Sequence, residues 1–362
     1  MEQQEVYNAG MVLPKHIKLI TAETHSPEWY EHRRSFIGAS EVGTVMGINK
    51  WETRAKLWQV KSGQAEGRIA DNEPMYWGRM MEDRIALSWE YYDVETGEYI
   101  VNAGSDNKVR QAIVPGGFLV NDKYPWLSAA FDRIIPKGSL TLIGGKTKTM
   151  CPLEIKTIDH YAHNVNETGL PPYYEAQIMQ QMIVIEAEYA EFAYLVGGQK
   201  LKVEPRQFHQ GFADSILEET YDFWYNMVLP AKEIAQEIVA KPSLTKHLSK
   251  KLIALEPEPE PTNAYINWLK DNYKEEVETA KATEELTAHI IGYAKVDSLI
   301  KKLSEIADGH KSHILKFHKD MGAGRVDFGE AGKSTYKSKF VVSPAKSVYP
   351  DKEYVESIIK NI

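Results

Sequence analysis

The stretch Trp126–Thr157, WLSAAFDRIIPKGSLTLIGGKTKTMCPLEIKT, decides how the chain is read. Phe131 to Ile135 reads as one short strand, Pro136 to Ser139 as a turn, and Leu153 to Thr157 as a second strand. Side chains alternate along a strand, so Glu154 and Lys156 project from one face while Leu153, Ile155 and Thr157 take the other. With Asp132 brought in from the neighbouring strand, that carboxylate and ammonium can hold a divalent cation and set a water against a phosphodiester. A solvated surface strand also contains Glu-x-Lys, so the remainder of the chain has to decide.

The 362 residues, 43% hydrophobic and 26% charged, suit a globular protein of one large domain or two ordinary ones. No apolar run reaches the length of a membrane span, and Met1-Glu2-Gln3-Gln4-Glu5 is not the basic start of a signal peptide. A cytoplasmic protein without a membrane partner is therefore expected. Cys151 is the only cysteine, which excludes a disulfide framework and any four-cysteine zinc or iron–sulfur site within one chain. The net charge of −8 argues against an indiscriminate nucleic-acid coat protein but leaves room for a local groove.

Residues 1–25 hold few landmarks and read as an arm. Ser26-Pro27-Glu28-Trp29 then reads as a helix start, with Ser26 as N-cap and Pro27 in the first turn. Arg33 and Arg34 close that helix just before Ile37-Gly38-Ala39-Ser40-Glu41, where a second helix begins. A basic side chain, a glycine that admits close approach and a hydroxyl at a helix start are the parts of an anion site, although capping by Ser40 beside solvated arginines uses the same residues. Trp77 to Glu82 opens a further helix, in which Met81, Ile85 and Trp89 form a buried stripe with Glu82 at its border. Gln111–Val114 and Gly116–Val120 have strand character. Leu170-Pro171-Pro172-Tyr173-Tyr174 is a rigid lead-in to a helix carrying Gln177, Gln180 and Gln181. Glu191–Val196 and Gln199–Val203 bracket Gly197-Gly198 as a hairpin, and residues 206–240 read as one helix.

Helices, then mostly antiparallel strands, then a helix and more strands indicate an α/β core with a mixed sheet flanked by helices. Leu255-Glu256-Pro257-Glu258-Pro259-Glu260-Pro261 is a stiff acidic linker, placed at 255–262 between a main domain at 26–254 and an extension at 263–362. In that extension Leu299, Leu303, Ile306, His310, Ile314 and Phe317 step by three or four residues, as in a helical hairpin or coiled coil. His310 reads as an interface residue there, and Val326–Val342 as a β-hairpin.

Several local matches are decoys. Gly145-Lys146-Thr147 ends like a phosphate-binding loop, but Leu140 stands where the first glycine is required. Gly322-Ala323-Gly324 lacks the strand and helix of a dinucleotide site. His160 and His163 have no third zinc-type ligand nearby, and Asn166-Glu167-Thr168 is a glycosylation match without consequence in a cytoplasmic protein.

Taken together, Trp29-x-x-x-Arg33, Gly38-Ala39-Ser40-Glu41-Val42, Gly78-x-x-x-Glu82, Asp132, Glu154-Ile155-Lys156 and Tyr174-x-x-Gln177 resemble the phage λ-exonuclease and YqaJ-like viral recombinase family over about residues 26–230. The resemblance implies the restriction-endonuclease-like, PD-(D/E)XK fold and digestion of the 5′ strand of duplex DNA to leave 3′ single-stranded tails. It implies that Asp132, Glu154, the Ile155 backbone carbonyl and Glu82 serve magnesium, with manganese as a substitute, and that Lys156 orients or activates the attacking water. It further implies that Arg33, Ser40, Tyr174 and Gln177 meet the DNA and its 5′-terminal phosphate. This chain has Ala130 and Phe131 where the family often has serine and proline, so a phosphate contact is absent or supplied by Ser128.

By the same resemblance the expected partners are double-stranded DNA ends, further copies in a ring that is often a trimer, and a single-strand annealing recombinase. A RecB-like or restriction-like endonuclease, and a non-catalytic DNA-binding or scaffold protein, are the competing readings. Cleavage of closed circles separates the first from an exonuclease. Against the second, such an acidic set with its lysine is costly to bury without a cation.

Overall fold

The computed structural model describes residues 13–22, 26–67, 71–93, 96, 98–99, 110–114, 117–142, 145–159, 170–272, 281–321, 325–327, 333–335 and 340–341. His160, His163, Asn166–Thr168, Gly322–Gly324 and most of the 1–25 arm lie outside these residues, as do Gly329 and Gly332 of the expected terminal hairpin. The chain divides into two compact units, residues 1–274 and 275–362.

In the first unit the elements run β1 (Ile17–Ile20), α1 (Pro27–Arg34), β2 (Ile37–Gly38), α2 (Val42–Val45), α3 (Arg54–Lys61) and α4 (Glu73–Glu90). Short pairs β3 (Tyr92–Asp93) with β4 (Glu98–Tyr99), and β8 (Thr141–Leu142) with β9 (Gly145–Lys146), decorate the loops. Between and after them come β5 (Phe118–Asn121), β6 (Leu127–Ala130), β7 (Arg133–Ile135), β10 (Cys151–Ile158), α5 (Pro172–Ile185), β11 (Tyr189–Val196) and β12 (Lys200–Gln207). Four helices close the unit: α6 (Gln210–Asp222), α7 (Leu229–Ala240), α8 (Thr245–Ile253) and α9 (Asn263–Asn272).

Two four-stranded sheets result, ordered β1-β5-β6-β2 and β12-β11-β10-β7. Both are mixed: β2–β6 and β10–β11 are parallel, the other neighbours antiparallel. Helices cover both faces of the second sheet, and the alternation along β11 shows why. Phe192, Tyr194 and Val196 enter one apolar cluster with Ile178 and Met182 of α5, while Ala193 and Leu195 enter another with Ile85 and Trp89 of α4. This mixed α/β core flanked by helices is the architecture the sequence pattern predicts.

Local signals are realised where the chemistry is local. Ser26 caps α1, accepting from the Trp29 N–H at 3.1 Å. Gly197 and Gly198, at φ 57° and 72°, make the tight turn between β11 and β12. Other expectations need correction. Phe131–Ile135 is not one strand: β6 ends at Ala130, β7 begins at Arg133, and the two belong to different sheets, with Asp132 in the gap. Gln111–Val114 contributes only a bridge from Ile113 to Ile134. The single helix over 206–240 is instead the end of β12, then α6 and α7 joined by a π-helical turn at Phe223–Val228. At the second helix start Ser40 is exposed and Glu41 caps, accepting from the Gly38 N–H at 2.8 Å.

The proline–glutamate segment continues into the same unit. Glu260 accepts from the Arg54 N–H, and Tyr265 and Trp268 of α9 bury against Ala55. The second unit holds α10 (Glu284–Met321), a single helix of 38 residues, and three short antiparallel strands, β13 (Arg325–Asp327), β14 (Lys333–Thr335) and β15 (Phe340–Val341). Among the described residues no helix is long and apolar enough to cross a membrane.

Candidate active site

Glu154 pairs with Phe192 and Lys156 with Tyr194 across the parallel β10–β11 ladder. Paired residues share a face, so Glu154 and Lys156 stand on the α5 side of the sheet, and Leu153 and Ile155 pack toward α4. β7 accompanies β10 only as far as Leu153. Beyond that point the Ile155 N–H donates to Asp132 Oδ2 at 2.7 Å in place of a ladder partner. N–H and C=O of a strand residue point to one edge, so the Ile155 carbonyl faces the same opening.

Both oxygens of the buried Glu154 carboxylate are occupied. Oε1 meets the Lys156 ammonium and the Gln177 amide; Oε2 accepts from Gln181 Nε2 at 2.6 Å. The same Gln181 nitrogen reaches the Ala130 carbonyl at 3.1 Å, which ties α5 to the end of β6 next to Asp132. Lys156 also lies over the Tyr174 ring, 5.5 Å from its centroid. Glu82 arrives from α4 and is held by Arg133 at 2.9 Å; the same guanidinium bonds the Asp132 carbonyl and Asp83.

Electrostatics set these groups apart. Burial, then the nearby Glu154 carboxylate and, less strongly, Glu82, push the Asp132 carboxyl up to about 8, against the opposing pull of Lys156. Burial alone would lower the Lys156 ammonium, but Glu154 and Asp132 hold it above its ordinary value. The Asp132, Glu154 and Glu82 carboxylates are hard-oxygen donors of the kind magnesium and manganese take. Among the described residues, no three carboxylate, imidazole or thiolate groups are already arranged as a metal cluster. Asp132, Glu154, Glu82 and the Ile155 carbonyl are the groups that could hold one.

The other expected residues divide. Tyr174 and Gln177 stand with Lys156 and Glu154. Arg33 belongs to a second cluster, donating to Glu41 at 2.9 Å and stacking on Trp29 at 4.9 Å, with Ser40 in the turn beside it. Lys61, almost fully buried, completes that cluster at 2.6 Å from Glu41. Burial by itself would raise the Glu41 carboxyl; Lys61 and Arg33 outweigh it and hold the group below its ordinary value. Ser128, the candidate replacement for a missing phosphate contact, is buried in β6, with its carbonyl accepting from Gln180 at 3.0 Å.

Sequence reasoning did not assign Gln181, Arg133 or Lys61 to these sites. Gln181 carried a signal: an amide one turn after Gln177 inside an otherwise apolar helix must find a buried partner.

Residues 28–189, which include Arg33, Glu82, Asp132, Glu154, Lys156 and Gln181, match the family of the YqaJ-like viral recombinase domain. Residues 28–189 are therefore similar to a YqaJ-like viral recombinase domain. Over 213 residues it is 29% identical to the uncharacterized protein YqaJ of Bacillus subtilis (strain 168), covering 58% of each chain. The match thus spans little more than half the length of that relative. Two crystal structures, of an alkaline exonuclease (LHK-Exo) from Laribacter hongkongensis and of LHK-Exo in complex with dAMP, are 17% and 18% identical to it. Each likeness covers 60% of this chain and 99% of the other, with a TM-score of 0.44. The matched segment contains both clusters, with Glu154 on β10 and Asp132 in the gap before β7.

Proposed function

We propose that the protein is a magnesium-dependent nuclease of homologous recombination, an exonuclease that digests the 5′ strand of duplex DNA from its end and leaves 3′ single-stranded tails. The observation that carries the reading is the convergence of Asp132, Glu154, Lys156 and Glu82 at the point where β7 leaves β10, inside the segment similar to a YqaJ-like viral recombinase domain. The exonuclease described for LHK-Exo, a protein of similar outline, is consistent with it.

Asp132, Glu154 and the Ile155 carbonyl would hold the cation, with Glu82 beside them. When bound, the metal supplies a water acidic enough to be deprotonated near neutral pH and relief of charge on the leaving oxygen. Lys156 holds that water by hydrogen bonding and supplies positive charge beside the phosphodiester. Gln177 and Gln181 fix the plane of the Glu154 carboxylate, so that its orientation is set before DNA arrives. Arg33, at the turn that carries Ser40, is the group proposed to receive the 5′-phosphate, leaving Glu41 to Lys61 as it does so. In the same reading the DNA-bound form is a closed ring of copies, a trimer by the family pattern, working with a single-strand annealing protein.

The test is digestion of a linear duplex, labelled separately at each 5′ phosphate and each 3′ end, with magnesium and with chelator, beside a covalently closed circle. Magnesium-dependent loss of 5′ label with the circle spared is the expected result. Cutting of the circle would make the protein an endonuclease, and binding without cleavage would make it a scaffold.

A further inference from the structure

The helix α10 carries an apolar seam that the nuclease reading does not use. Leu286, Tyr293, Ile300, Ala307, Ile314 and Met321 recur at every seventh residue, and Val296, Leu303 and Phe317 each follow one of them by three. His289 and His310 occupy the two remaining positions of the second set. The result is an unbroken alternation of three- and four-residue steps along the whole helix, the period of a left-handed coiled coil. Apart from the half-buried Ile314 these side chains are open to solvent: Tyr293 is 75% exposed, Ile300 56% and Phe317 48%. The helix also contains Gly292 and Gly309, which weaken it, so burial of the seam has to supply its stability.

We infer that α10 pairs with the α10 of a second copy of this chain, forming a coiled coil along this seam. A knobs-into-holes seam needs a partner of the same period and about the same length, roughly 57 Å for 38 residues at 1.5 Å each. Among the described helices the next longest is α4, with 18 residues, and its Ile85 and Trp89 are already buried in the core of the first unit. The helix able to match the full seam is therefore α10 itself. Histidines in place of apolar residues at two core positions lower the stability of such a pair and select its register, as isolated polar core residues do in coiled coils. The seam contains no residue of the proposed cleavage site.

A pyrene-maleimide label on Ser304→Cys in the full chain tests it. Ser304 lies beside the seam near the middle of α10, and the native Cys151 is buried and so protected from the reagent. Excimer emission is expected, and it should fall to the monomer level when Ile300→Lys and Leu303→Lys are added. Ile291→Lys, an exposed apolar position on the opposite side of the helix, should leave it unchanged. Absence of excimer at micromolar protein, or excimer that survives the seam substitutions, would overturn the inference. Circular dichroism of each variant at the same concentration distinguishes loss of pairing from loss of the first unit's fold.

Discussion

Asp132 accepts the backbone N–H of Ile155 across the gap left where β7 ends, so the side chain stands in for a missing strand residue. One carboxylate thereby closes the sheet edge within electrostatic reach of Glu154 and Lys156.

Asp132→Ala should remove both roles. Cleavage of a labelled duplex is expected to fall by about 10²-fold or more, the scale of losing one positioned catalytic group, and unfolding in urea should move by about 1 kcal/mol for the lost hydrogen bond. Lys156→Ala should lose cleavage to a similar degree while still binding magnesium, measurable by calorimetry. Retained cleavage in either variant would remove that residue from the proposed chemistry.

Gln181→Leu keeps most of the side-chain volume but strips a donor from Glu154 Oε2 and from the Ala130 carbonyl. A buried acceptor left unmet costs about 1–3 kcal/mol, so a matching loss of urea stability is expected. Because Glu154 would then be held through Oε1 alone, kcat should drop more than KM changes. Gln177→Leu, at a half-buried position, should be milder in stability.

Arg33→Ala should mainly erase discrimination between 5′-phosphate and 5′-hydroxyl ends, read as the ratio of digestion rates on the two substrates. The Arg33–Glu41 pair implies a salt-dependent competition, so wild-type discrimination should weaken as ionic strength rises. Equal ratios in variant and parent would reject the role.

The Glu41 cluster also sets a pH dependence. Glu41 binds its proton less readily folded than unfolded, so its stabilisation is full above the ordinary value of 4.5 and is lost as the pH falls through the lower folded value. Glu41→Gln leaves Lys61 buried without its counter-charge, which should cost about 3–5 kcal/mol near neutrality. The stability gap between variant and parent, from urea unfolding at stepped pH, should narrow below pH 4.5. A gap that widens instead would show that Glu41 is not held ionised.

How much of this was legible beforehand follows the range of the forces. The two-residue period of β10 placed Glu154 and Lys156 on one face, and the Ser26 cap, the Gly197-Gly198 turn and the α4 stripe of Ile85 and Trp89 were written in their own neighbourhoods. Those choices depend on backbone geometry over a few residues, which sequence determines by itself. The three- and four-residue spacing of Leu299, Leu303, Ile306, His310, Ile314 and Phe317 was equally local. Tertiary structure decided the rest. Asp132 falls between two sheets because β6 and β7 find different partners, and no pattern within Phe131–Ile135 records that. Gln181 meets Glu154, Arg33 and Lys61 share Glu41, and Arg133 gathers Glu82 only once α5, α3 and α4 have packed. A buried charge or amide takes whichever partner the packed chain delivers, and that partner is fixed by contacts far apart in sequence.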